Sequence, residues 1–73
     1  MGVQERKERE KAQRRTSILD AARQIIKEKP YDSIIMEDIA NRLELSRATL
    51  YLYFKNKEEI YATLLTLGMR ELQ

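Results

Sequence analysis

Apolar positions recur at helical spacing in four stretches, and the gaps between them carry stop and start signals. Ile18, Leu19, Ala22, Ile25 and Ile26 form one stripe, which predicts a first helix from about residue 12, or earlier, to residue 29. Lys27 and Lys29 suit the negative end of its dipole. Pro30 disfavours helical geometry at the residue before it and so ends the helix. Residues 31–35 read as a connection. The second helix is expected over residues 36–43, with Glu37 and Asp38 in its first turn and Ile39, Ala40 and Leu43 facing inward. After the turn Glu44-Leu45-Ser46, a third helix starts with Ser46 as its N-cap. Leu45 and Leu50 flank that cap as a hydrophobic staple. Leu50 and Phe54 lie four residues apart on one inward face, which turns Arg47, Ala48, Tyr51 and Tyr53 outward. Leu52 also faces outward. So short a helix does not hold in water without tertiary support. The fourth helix has Asn56 as N-cap and Glu59 three residues on, a capping-box spacing. Its stripe of Ile60, Tyr61, Leu64, Leu65, Leu67 and Leu72 is broad enough to bury against the first helix and something else besides.

Two short helices joined by a tight turn and braced by a longer helix on either side make a helix-turn-helix arrangement in an all-α fold. In that arrangement the second short helix enters the major groove of DNA with its first residues at the base edges. The expected architecture is homeodomain-like, a three-helix DNA-binding domain with a fourth, C-terminal connecting helix.

Composition narrows the chemistry. The 73 residues include neither cysteine nor histidine, which removes disulfides, thiolate metal sites and the commonest general base and metal ligand. No enzyme, metal or cofactor is therefore expected, and Asp20, Glu37, Asp38 and Glu59 read as surface or helix-start carboxylates. Glycine only at 2 and 68 and proline only at 30 argue against a turn-rich β fold. The apolar run over residues 60–69 is shorter than the roughly 20 residues a bilayer needs, so no membrane association is expected. The charged N-terminus is no signal peptide, and a cytoplasmic location is expected.

The net charge of +2 is unevenly spread. Arg6, Lys7, Arg9, Lys11, Arg14 and Arg15 outnumber Glu5, Glu8 and Glu10 near the N-terminus. Residues 1–11 read as a basic arm ahead of a domain over residues 12–73. Such an arm suits an acidic polymer such as DNA. A solvated helical extension is the plainer alternative, since Glu5 and Arg9, and Glu10 and Arg14, are spaced to pair along a helix.

Met36-Glu37-Asp38-Ile39-Ala40, then Ser46-Arg47-Ala48-Thr49-Leu50-Tyr51, then Tyr53-Phe54-Lys55-Asn56-Lys57-Glu58-Glu59 resembles the DNA-binding region of the tetracycline-repressor (TetR) family. Ile18-Leu19-Asp20-Ala21-Ala22 resembles that family's first helix, and the likeness covers roughly residues 16–65. The resemblance implies a sequence-specific transcriptional regulator, in most members a repressor, acting on a double-stranded DNA operator. It also implies a recognition helix over about residues 46–53. Arg47 and Ala48 would start the base-reading face, with Tyr51 one turn on. Thr49 and Tyr53 would meet phosphate, Ser46 would cap the helix and join the DNA-binding set, and Lys57 would meet the backbone at the start of the fourth helix. A guanidinium at position 47 matches the two acceptors of guanine, although arginine at a helix start also takes phosphate.

The chain departs from the family pattern in three respects. Many members have threonine where this chain has Ile34 and Ile35, so the cap and phosphate contact made there are expected to be lost, with Ser33 as the available replacement. Glu44 stands where glycine is usual, and a positive φ there would be mildly strained. Pro30 replaces a frequent glycine. Because the sequence stops within the fourth helix, the effector-binding and dimerisation domain is expected to be absent. A homodimer and a small-molecule effector would then belong to a longer parent. The rival reading is a helical protein-interaction adaptor docking through the fourth helix. It explains Leu64, Leu65, Leu67 and Leu72 but not Arg47, Tyr51, Tyr53 and Lys57 together.

Overall fold

Ile18, Leu19, Ala21, Ala22 and Ile25 supply the first layer of the core from one long helix, α1 (Val3–Glu28). A computed structural model describes residues 3–71 of the chain, with side chains over residues 6–68. After α1 come a 3-10 turn (Tyr31–Ser33), then α2 (Met36–Arg42), α3 (Arg47–Tyr51) and α4 (Lys57–Glu71), with no strand among the described residues. With these residues of α1, Ile34, then Met36, Ile39 and Ala40 of α2, Leu50 of α3, Phe54, and Ile60 and Tyr61 of α4 form one buried cluster. α2 and α4 both lie on α1, while α3 is held through α2. The all-α, helix-turn-helix expectation is met.

The stripe on α1 differs from its expected form by one position. Ile26 is 39 % exposed, whereas Ala21 is buried. Periodicity alone admits either, and the small Ala21 and Ala22 give the phase that lets α2 and α4 approach. The helix ends at Glu28 rather than Lys29, with Pro30 in extended geometry ahead of the 3-10 turn. Ile34, in the connection between α1 and α2, is wholly buried although no periodicity marks it. Leu72 lies outside the described residues.

Ile35, at the N-cap of α2, has no acceptor in its side chain. The capping role falls not to Ser33 but to Asp38, whose Oδ2 accepts from the Ile35 N–H at 3.0 Å. Lys29 Nζ sits 2.8 Å from the same oxygen. The Arg42 guanidinium grips the Glu28 carboxylate with two bonds of 2.6 and 2.5 Å. These two ion pairs tie the end of α1 to both ends of α2. Arg42 holds the Glu28 carboxyl below its ordinary pKa, and Lys29, then the Ile35 N–H, do the same for Asp38. With folded-state values below the unfolded ones, the unfolded chain binds more protons between the two, so stability rises with pH there. The expected result is a urea midpoint that is flat above the ordinary carboxyl values of 4.5 and 3.8 and falls as pH drops through and below them. E28Q/D38N should lose part of that fall; an unchanged acid profile would show that these pairs add nothing to stability.

The turn between α2 and α3 is a Schellman motif. Leu45 N–H reaches back to the Ala40 carbonyl at 2.8 Å and Glu44 N–H to the Asn41 carbonyl at 3.2 Å. Glu44 takes φ 57°, a left-handed conformation, so the condition for strain at this position is met. A side chain there costs roughly 1–2 kcal/mol, partly offset by the greater flexibility of an unfolded glycine. Glu44→Gly is therefore expected to stabilise the fold by about 0.5–1 kcal/mol in thermal or urea melts. A loss of stability would place an unseen favourable contact on the glutamate.

At the far side, Tyr61 links α4 to α1. Its hydroxyl donates to the Ala22 carbonyl at 2.8 Å, and its ring meets Tyr31 edge-on, 5.4 Å between centroids. Burial, before any neighbouring charge, pushes the Tyr61 pKa up, which keeps the donor protonated.

Candidate nucleic-acid interface

α3 is built by local signals and then clamped. The Thr49 N–H donates to Ser46 Oγ at 3.2 Å, and the Ser46 and Thr49 hydroxyls lie 2.9 Å apart. Leu50 has no exposed surface, and Leu45 packs on the core before the cap, as a staple requires. The regular helix is shorter than the expected residues 46–53 and ends at Tyr51, with Leu52 as its C-cap. Tightened bonds from Leu52 N–H to Thr49 O and from Tyr53 N–H to Leu50 O close the segment. Phe54 is nonetheless buried, because its N–H still reaches the Leu50 carbonyl at 3.1 Å and keeps helical spacing to that anchor.

Leu50 inward leaves Arg47, Ala48 and Tyr51 outward. Arg47 and Ala48 are exposed and Tyr51 is 49 % exposed. Ser46 is exposed, while Thr49 and Tyr53 are half-buried, with Tyr53 packed against the core. The Thr49 hydroxyl is engaged with the cap. Leu52 is 83 % exposed. It shares an open groove with Lys11, Ala12, Arg15 and Tyr53, so residues 11–15 of α1 lie beside the end of α3.

α4 starts as its spacing foretold. The Glu59 N–H donates to Asn56 Oδ1 at 2.9 Å. The reciprocal bond is displaced by one residue, from the Lys55 N–H to Glu59 Oε1 at 3.1 Å. Lys57 is half-buried. Its ammonium donates to the Tyr31 carbonyl at 2.8 Å and lies 4.3 Å from the Tyr31 ring centroid. An ammonium has three donors, so this tether leaves two for an outside acceptor. Neither the Lys57–Tyr31 tether nor the nearness of Lys11 and Arg15 to α3 was read from the sequence. The first joins residues far apart in the chain and leaves no local trace. The second was available from helical phase, since Lys11 and Arg15 extend the buried face of α1.

The fold and the exposed face of α3 define a helix-turn-helix domain. The family described as bacterial regulatory proteins, tetR family, matches residues 18–64. The chain is 33 % identical over 61 residues to YfiR, an uncharacterised helix-turn-helix-type transcriptional regulator of Bacillus subtilis. That alignment covers 84 % of the chain and 30 % of YfiR. It is 41 % identical over 44 residues to IcaR of Staphylococcus epidermidis, a negative transcriptional regulator of the biofilm operon icaADBC, across 60 % of the chain and 24 % of IcaR. To the fatty acid metabolism regulator protein of Bacillus subtilis it is 43 % identical over 47 residues, 64 % of the chain and 24 % of that protein. No solved structure matches it. The chain belongs to the tetR family of bacterial regulatory proteins. It spans about a quarter to a third of the length of these relatives.

Proposed function

We propose that this domain binds duplex DNA sequence-specifically through α3 and serves a transcriptional regulator, a repressor as IcaR is named to be. The observation that carries the reading is the two-sidedness of α3. Leu50 is wholly buried, and the same short helix turns Arg47, Ala48 and Tyr51 to solvent. Arg47 and Ala48 meet base edges, Tyr51 meets the next pair along, and Ser46, Thr49, Tyr53 and Lys57 set the register on the sugar-phosphate backbone. Lys57 does so while anchored on Tyr31, which fixes where its remaining donors point.

Regulators of this kind act as dimers on two half-sites, so a homodimer is the form in which the longer protein holds its operator. A small-molecule effector would act on a part of that protein beyond this domain. The domain carries out no catalysis and works in the cytoplasm, where its DNA lies. No helix among the described residues is long and apolar enough to cross a membrane.

Leu65, 70 % exposed on α4, favours the second reading, a protein-docking module. Binding of the chain to a mixed-sequence duplex across a salt series separates the two. A DNA reader loses affinity steeply as salt rises; no binding, or binding indifferent to salt, would reject the DNA reading.

A further inference from the structure

The charges in the first half of α1 are sorted by face. At about 100° per residue, Lys7, Lys11, Arg14 and Arg15 all fall within about 60° of the direction of Ile18, the centre of the buried stripe. Glu8 and Glu10 lie to the two sides of that arc, and Glu5, Arg6 and Arg9 lie behind it. One face of α1 is therefore apolar where it covers the core and basic from Lys7 to Arg15. Residues 6–17 are exposed throughout. Arg15 is nevertheless anchored, its guanidinium carbon 5.3 Å from the centre of the Phe54 ring. Lys11 and Arg15 share their groove with Leu52 and Tyr53 at the end of α3.

We propose that this basic face is a second DNA contact, a rail that binds phosphates of the duplex beside the stretch held by α3. The proposal rests on the DNA reading above and extends it outside the recognition helix. Charge complementarity picks the partner. A row of cations whose Lys11 and Arg15 adjoin the end of α3 meets the polyanion that α3 already holds, and no carboxylate interrupts it. From Lys7 to Arg15 the helix rises about 12 Å, the axial length of roughly three to four base pairs. The rail therefore lengthens the footprint to one side of the recognition site. A solvated extension would instead scatter its bases around the helix, as Arg6 and Arg9 are scattered.

Two double variants test the face against charge alone. K7Q/K11Q and R6Q/R9Q each remove two positive charges, and glutamine is about as good a helix former as lysine or arginine. Each would be titrated by fluorescence anisotropy with a mixed-sequence duplex over a salt series, with circular dichroism confirming equal helicity. The unsubstituted chain should give a steep salt slope. K7Q/K11Q should lower that slope by about 1.8, from two phosphate contacts at about 0.9 each, and R6Q/R9Q should leave it nearly unchanged. Equal loss in both variants would reduce the effect to net charge and overturn the rail. So would no loss in either variant while the unsubstituted slope stays steep, an outcome that leaves the α3 reading standing. A flat slope for the unsubstituted chain would remove the DNA reading itself, and the rail with it.

Discussion

Leu50→Ala is expected to destabilise the domain by about 2–5 kcal/mol, the range for truncating a fully buried leucine. A chain of this size has a total stability of roughly 4–11 kcal/mol, so the loss removes a large share of it. The site has little room to collapse. Leu50 is wholly buried in the one core cluster, and its own backbone is committed: its N–H goes to the Ser46 carbonyl, and its carbonyl takes the Tyr53 and Phe54 N–H groups. Ser46 and Thr49 close one end of α3 by themselves, but one capping bond holds no helix of five residues. Loss of the anchor should therefore unfix Arg47 and Tyr51 as well. In urea, the midpoint should fall with little change in slope. A native midpoint for Leu50→Ala would mean that α3 is held by something other than this side chain.

Arg47→Ala and Tyr51→Ala should act in the opposite sense, sparing the fold and damaging recognition. Both side chains are exposed, so stability should stay within about 0.5 kcal/mol of the unsubstituted chain. At a cognate duplex, recovered by selection from a random DNA pool with a dimeric form of the protein, each should cost about 1–3 kcal/mol and relax base preference at one position. On mixed-sequence duplex the loss should be smaller. Equal loss on every duplex would reassign these side chains from bases to phosphates, the alternative that an arginine at a helix start leaves open.

The elements that were legible in the sequence are those written locally. The Ser46 and Asn56 caps each depend on residues within one turn, and both are present, with Leu45 and Leu50 both on the core as their spacing around Ser46 implies. The left-handed conformation of Glu44 was legible only as a condition, raised by the glycine usual at this position in the family. Ile34 was missed for the reverse reason: it sits between helices, where no periodicity marks it, and only the assembled core shows that it is covered. Ile26 and Ala21 were exchanged because a stripe broad enough to bury against two helices fits more than one phase. The end of the recognition segment was placed too far along, since Phe54 keeps helical spacing to Leu50 although the chain has already tightened into a turn. The bonds that join distant segments left no trace in the chain at all. Arg42 with Glu28, Lys29 with Asp38, Tyr61 with Ala22 and Lys57 with Tyr31 all depend on which helices meet, and that is settled only by packing. The candidate DNA face was legible because it is the outward half of one short helix, whereas its neighbours on α1 had to wait for the helices to be set side by side.

A titration of isotopically labelled chain with duplex DNA, followed by amide chemical shifts, addresses the reading most directly. Contact through the outer side of α3 predicts the largest, salt-sensitive shifts at 47, 48 and 51, with 7, 11 and 15 following on α1. Shifts centred on 64, 65 and 67 of α4, with 47 and 51 unmoved, would contradict it.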